Sequence, residues 1–338
     1  MKIAKIYLIA FLILAVSCGE SNQPKNDTET QDQVLATLNK KIKSNPNDAS
    51  LYYQKADYLF QNGSIPEALM NFLVSVDLDS TNINTWSKLS DIYQLMGNRI
   101  DAENALIQLL KLDPDNEDAM LKLAKHYIIS YNYEDAKIYL DKVLLKNNLN
   151  AHAYELYGTT YYLEQGDTTR AISVLNRAIE IDDNLYEAYL TLALLYDLRS
   201  NPVAIDYYKN AIRIAPNNPY PQYRLAFYLQ EKSKKIDEAM EIYDAILEKY
   251  PQYYYALYNK GYIYLVYKID PHTAIDYFRQ AAEVSDRTTP EALYNIAYCL
   301  ELMDNKKEAR RMYQQILEVF HDYEKAIEGQ RRVGRFEY

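Results

Sequence analysis

The chain has 338 residues and a formal net charge of −10, from 37 Lys+Arg against 47 Asp+Glu, which works against a nucleic-acid groove because such grooves need clustered positive charge. Its 49% apolar content is that of a folded chain, while only 8 glycines and 11 prolines disfavour turn-dense β architectures and glycine-rich phosphate loops. Two cysteines exclude a disulfide framework, and the outlying number is tyrosine, at 36.

Residues 1–17 read as a processing segment. Lys2 and Lys5 precede an apolar run from Ile6 to Val16, too short to cross a bilayer, which takes about twenty residues. The run ends Leu14-Ala15-Val16-Ser17-Cys18-Gly19 and resembles a bacterial lipoprotein signal, with Ala15 standing where that family usually has leucine. The resemblance implies lipidation of Cys18 and cleavage before it. Ordinary secretory cleavage after Ala15-Val16-Ser17 is the alternative. In that family an aspartate after the cysteine is the usual inner-membrane retention signal. Gly19 stands there instead, which implies an outer-membrane anchor facing the periplasm, with the leaflet open. Residues 18–31 are polar and without periodicity, as a flexible tether would be. Residues 32–48 contain a capping helix ended by Asn45-Pro46-Asn47.

From Ala49 the chain repeats. Ile83–Asn116 carries Trp86, Leu89, Tyr93, Gly97, Ala102 and Pro114, and these spacings resemble the 34-residue tetratricopeptide pattern. The phase yields eight repeats over residues 49–323, starting at Ala49, Ile83, Glu117, Ala151, Tyr186, Pro219, Tyr254 and Pro290. An alanine recurs in every second helix, as Ala68, Ala102, Ala136, Ala171, Ala204, Ala239, Ala274 and Ala309. A small residue recurs in every first helix, as Ala56, Ser90, Ala124, Gly158, Ala193, Ala226, Gly261 and Ala297. Two helices approach closely only where both carry small side chains, so the two columns predict each intra-repeat crossing. Length changes in repeats four to seven are expected in the inter-helix turns. Residues 324–338 start like another first helix and become Arg-rich at Arg331, Arg332 and Arg335, suiting a terminal cap. The resemblance implies an all-α, right-handed α-solenoid with terminal capping helices.

Chemistry is sparse. The chain has no dinucleotide fingerprint, phosphate loop or nucleophile elbow. None of its four histidines, His126, His152, His272 and His321, pairs with another at helical spacing. His126 reads as a packed histidine and Cys299 as a small buried hydrophobe. Asp182-Asp183 falls in an inter-repeat loop. A noncatalytic protein with no cofactor and no metal is expected.

In the tetratricopeptide family the ligand groove is lined by first helices, with positions 2, 5 and 9 of each repeat among its contacts. In repeats two and three these are Asn84, Ser87, Asp91, Asp118, Leu121 and Lys125. In repeats six to eight they are Tyr220, Tyr223, Phe227, Tyr255, Tyr258, Tyr262, Glu291, Tyr294 and Tyr298. Eight of these nine are aromatic, so they are the candidate partner-binding residues, with inter-repeat packing as the competing reading. Asn259 and Asn295 occupy positions where family members hold peptide carboxylates, but the accompanying lysines are absent. The sequence thus points to an envelope-anchored scaffold that binds a protein or peptide and no nucleic acid, meeting the membrane through its lipid alone. The alternatives are a soluble periplasmic binding module, or a carbohydrate- or peptidoglycan-binding protein that uses the tyrosines.

Overall fold

The computed structural model describes residues 27–285 and 289–334, with side chains from residue 33 onward. Cys18, the leader and Arg335 lie outside the described residues. Among those described, the chain is all-helical. A capping helix α1 (Asp27–Ser44) is followed by eight helix pairs. These are α2 (Ala49–Gln61) with α3 (Ile65–Leu78), α4 (Ile83–Leu95) with α5 (Arg99–Leu112), and α6 (Glu117–Ile129) with α7 (Tyr133–Lys146). Then come α8 (Ala151–Gln165) with α9 (Thr168–Ile181), α10 (Tyr186–Leu198) with α11 (Ala204–Ile214), and α12 (Pro219–Glu231) with α13 (Ile236–Lys249). The last pairs are α14 (Tyr254–Val266) with α15 (Pro271–Val284) and α16 (Pro290–Leu302) with α17 (Lys306–Val319), before a closing helix α18 (Glu324–Gly334). Every first helix begins at the residue the repeat phase predicts.

The chain divides into two compact units, one up to Ala188 and one from Tyr189. Within each, a helix packs against its neighbour in sequence, and first helices of successive repeats meet, as α6 meets α8 and α12 meets α14. This is the helical repeat architecture. First-helix starts are fixed by capping side chains. Asp48, Asn82, Asn116, Asn150 and Asn218 each accept an amide hydrogen bond from the first turn that follows, satisfying donors a helix leaves unpaired.

The alanine column is completely buried in all eight repeats, and the small residues opposite are buried with it. Four residues beyond each alanine stands the side chain that the close approach makes room for: Phe72, Leu106, Leu140, Leu175, Tyr208, Tyr243, Phe278 and Tyr313, all buried. The fit is tight where the small residue is glycine. A Cβ on Gly158 would sit 2.5 Å from Leu175 Cγ, and one on Gly261 would sit 2.9 Å from the Phe278 ring.

Three of these inward rings carry a hydroxyl, which must be satisfied when buried. Each donates to a polar residue near the end of its partner helix. Tyr208 reaches Asp197 at 2.9 Å, Tyr243 reaches Gln230 at 3.1 Å, and Tyr313 reaches Glu301 at 2.8 Å. Where the ring is Phe278, the facing helix carries the apolar Leu265 instead. An arginine from the next helix completes two of the three sites. Arg224 donates to Asp197 at 2.6 Å, and Arg332 binds Glu301 through two bonds of 2.8 and 3.0 Å. Arg332 is therefore part of the joint that docks α18, where Gly329 leaves space for the Tyr313 ring.

Two expectations need correction. Residues 27–31, read as tether, belong to α1; no glycine or proline lies between Pro24 and Pro46 to stop the helix extending upstream. The extra residue of repeat four lies in a helix rather than a turn. α8 runs to 15 residues and closes on Gly166 at φ 68°.

Each intra-repeat turn holds one residue in the left-handed region: Gly63, Gly97, Tyr131, Gly166, Ser200, Lys234, Ile269 and Asp304. Ile269 is the costly one, because its branched Cβ crowds the carbonyl there and its side chain is 82% exposed, so packing does little to offset the strain. Ile269→Gly should stabilise the protein by about 0.5–1 kcal/mol after the added chain entropy is charged against it. Gly158→Ala should destabilise by about 1–3 kcal/mol, since it overpacks a buried leucine. Denaturant melts of the two variants test both signs. Ala136→Leu should loosen repeats two to four in hydrogen exchange while repeats seven and eight keep their protection.

Candidate functional site

The first-helix face carries different chemistry in the two units. In the second unit the predicted aromatic positions are neither core nor freely solvated. Tyr255 is 37% exposed, while Tyr220, Tyr223, Phe227, Tyr258, Tyr262, Tyr294 and Tyr298 are half-buried and Glu291 is exposed. Tyr223 is the hub. Its ring lies 6.4 Å from Tyr220 and 6.0 Å from Phe227 on its own helix, and stacks at 5.0 Å on Tyr255 of the next repeat. Tyr255 meets Tyr254 at 5.4 Å, and Tyr254 stacks on Tyr258 at 5.9 Å. Tyr258 accepts a 3.1 Å hydrogen bond from Asn295, carrying the band into repeat eight. There Tyr294 and Tyr298 stack nearly parallel at 6.0 Å. Tyr262 makes its ring contact with Tyr267 instead.

Sequence reasoning missed Tyr253, Tyr254 and Tyr323. Tyr253 and Tyr323 close repeats six and eight, and Tyr254 opens repeat seven. Tyr253 lies 6.1 Å from Tyr223, and Tyr323 lies 6.1 Å from Tyr294. The run Tyr253-Tyr254-Tyr255 was the available signal. Burial pushes the hydroxyls of Tyr223 and Tyr258 up to about 12, so both remain neutral donors at physiological pH. Lys325 lies over the Tyr294 ring at 5.8 Å and Arg332 over Tyr298 at 5.7 Å. Asn259 and Asn295 are nearly buried and already donate to the Tyr255 carbonyl and the Tyr258 hydroxyl. Cys299 is fully buried, its thiol pushed up to about 12 by that burial. His126 is buried against Tyr127, with Nε2 3.5 Å from Glu103.

In the first unit the same face is polar. Lys122 pairs with Asp91 at 2.9 Å and Asp118 at 3.2 Å, and donates to Ser87 at 3.2 Å. Next to it Asp118, Leu121, Lys125, His152, Glu155, Leu156, Thr159 and Glu187 line a cavity of about 310 Å³. Burial, and then the Glu187 charge, push the Glu155 carboxyl up to about 7, with Lys125 and the Thr159 hydroxyl opposing.

Family models of the tetratricopeptide repeat match residues 93–158, 160–219, 200–261 and 291–320. The chain belongs to the tetratricopeptide-repeat family. A peroxisomal targeting signal receptor of Saccharomyces cerevisiae is 27% identical over 228 residues, 64% of this chain and 36% of that protein. A TPR repeat-containing protein of Methanocaldococcus jannaschii is 26% identical over 238 residues, 64% of this chain and 41% of that one. The chain thus spans well under half the length of these relatives. Among solved structures, a monomeric IFIT1 mutant with m7Gppp-AAAA aligns with a TM-score of 0.62 at 14% identity, covering 90% of this chain and 76% of that one. At that identity the likeness is one of fold. YrrB, described as a TPR protein with an unusual peptide-binding site, aligns with a TM-score of 0.42 at 20% identity, covering 55% of this chain and 96% of that one.

The Glu155 environment sets a pH dependence. A carboxyl whose folded pKa lies above its unfolded value costs stability above pH 7, and the cost fades as pH falls through 7 into the ordinary carboxylate range. Glu155→Gln should therefore raise the melting temperature at pH 8 and leave it nearly unchanged at pH 4.5. An equal shift at both values would mean the carboxylate is solvated.

Proposed function

We propose that this tetratricopeptide-repeat protein is a noncatalytic adaptor, held at the bacterial envelope by a lipid on Cys18. Repeats six to eight capture a protein or peptide segment on their tyrosine-rich first-helix face. The observation that carries the reading is the aromatic band itself. Rings of α12 and α14 stack on one another, Asn295 of α16 ties Tyr258 to the helix that carries the Tyr294–Tyr298 pair, and all these rings keep part of their surface in solvent. Contiguous exposed aromatic surface is uncommon unless it binds something, and tyrosine supplies large contact area at low rotamer cost. The anchor rests on the Ser17-Cys18-Gly19 sequence after an apolar run, and the outer-membrane, periplasm-facing address on the same resemblance.

The aromatic test needs residues whose loss spares the core. Tyr258 is a poor choice, because its ring packs edge-on at 5.5 Å against buried Phe278. Tyr255→Ala with Tyr298→Leu, which keeps an apolar side chain against the core that Tyr298 borders, should weaken partner capture about tenfold in crosslinked pull-downs from the native host's membranes, with the melting transition retained. Unchanged capture would move the site to another face. Cys18→Ser should abolish labelling by radioactive fatty acid and release the protein from the membrane fraction. Wild-type protein that takes up no label would refute the anchor.

A further inference from the structure

The cavity on α6, α8 and α10 has a chemistry of its own, independent of the aromatic band. Two of its walls are Leu121 and Leu156, the latter nearly buried. Its polar surface comes from groups on three successive first helices. α6 contributes Asp118, Lys122 and Lys125; α8 contributes His152, Glu155 and Thr159; α10 contributes Glu187. These groups are unequally committed. Lys122 is already held by Asp91 and Asp118. Glu155 has only a long 3.4 Å bond from Thr159, and no ammonium or guanidinium lies within ion-pair distance of Glu155 or Glu187 among the described residues. Lys125 is exposed at the rim. Counting Asp91, four carboxylates face two ammonium groups, and the Glu187 charge adds to the cost of ionising Glu155. Among the described residues no cluster of His, Cys, Asp or Glu is arranged as metal ligands.

We propose that this cavity receives one long cationic side chain, an arginine or lysine on an extended segment of a partner protein, with its stem along Leu121 and Leu156 and its charged head between Glu155 and Glu187. An apolar wall leading to an acidic end that Lys125 only partly offsets matches how such side chains distribute themselves, stem on hydrocarbon and charge on polar groups. The volume of about 310 Å³ lies at the small end of ligand pockets and suits a single side chain. A guanidinium can meet both carboxylates in a planar, forked geometry. Binding would also relieve the repulsion between Glu155 and Glu187, so occupancy should strengthen as pH rises through 7.

The probe is the peptide acetyl-Gly-Gly-Arg-Gly-Gly-amide, titrated into the isotopically labelled full chain and followed by amide chemical shifts. A matched peptide with citrulline keeps the shape and removes the charge. Saturable shifts confined to residues 118–125, 152–159 and 187 are expected for the arginine peptide, with the citrulline peptide at least about tenfold weaker. Glu187→Gln should weaken the arginine peptide about tenfold, whereas Lys125→Gln should tighten it severalfold by removing a competing charge. Lowering the pH from 8 to 6 should weaken binding in wild type and much less in Glu155→Gln. Equal binding of the citrulline peptide would overturn the proposal. So would weaker binding in Lys125→Gln, or an unchanged affinity in Glu187→Gln whose melting curve shows a normal fold.

Discussion

Everything in this molecule follows from one contact: an alanine on each second helix lying against a small residue on each first helix. The approach is close enough that an added methyl at Gly158 would collide with Leu175. Repeating that contact eight times fixes where each pair crosses. It sets which side chain, four residues on, becomes the plug of the crossing, and which first-helix positions are left facing outward. The favourable term is burial of the plug and its neighbours. It is opposed by the entropy of ordering two helices that would be marginal alone.

The tyrosines divide according to that geometry. Tyr208, Tyr243 and Tyr313 are plugs, with no exposed surface, and each burial is permitted by a polar acceptor on the facing helix. The Asp197 and Glu301 sites also recruit an arginine from the following helix, so the satisfied hydroxyl doubles as a joint between repeats. Tyr220, Tyr223, Tyr255, Tyr294 and Tyr298 lie on first helices, where half of the ring packs on neighbours and the rest faces solvent. One residue type thus serves as core and as surface, because its ring is apolar and its end is wet.

The repeat phase, the two small-residue columns and the outward aromatic positions were legible in the sequence because each is a property of spacing. The tyrosine plugs were not legible, since a tyrosine in a second helix looks the same from spacing alone whether it is buried or exposed. What distinguishes them is the acceptor eleven to thirteen residues earlier: Asp197 for Tyr208, Gln230 for Tyr243 and Glu301 for Tyr313. The apolar Leu265 stands before Phe278, a pairing visible only once the two helices are laid against each other. The acidic cavity was hidden for a related reason. Asp118, Glu155 and Glu187 lie in three different repeats and converge only through stacking. The left-handed turn residue was legible where it is glycine and silent at Ile269, where tertiary structure overrides a local preference.

The division of the tyrosines is the central claim, and hydroxyl-radical footprinting read by mass spectrometry tests it most directly on the intact protein. Tyr255 and Tyr298 should be modified several times faster than Tyr208, Tyr243 and Tyr313, and adding the captured partner should protect the first pair and leave the other three unchanged. Comparable rates for the two groups in the free protein would contradict the account, because the second-helix rings would then not be plugs.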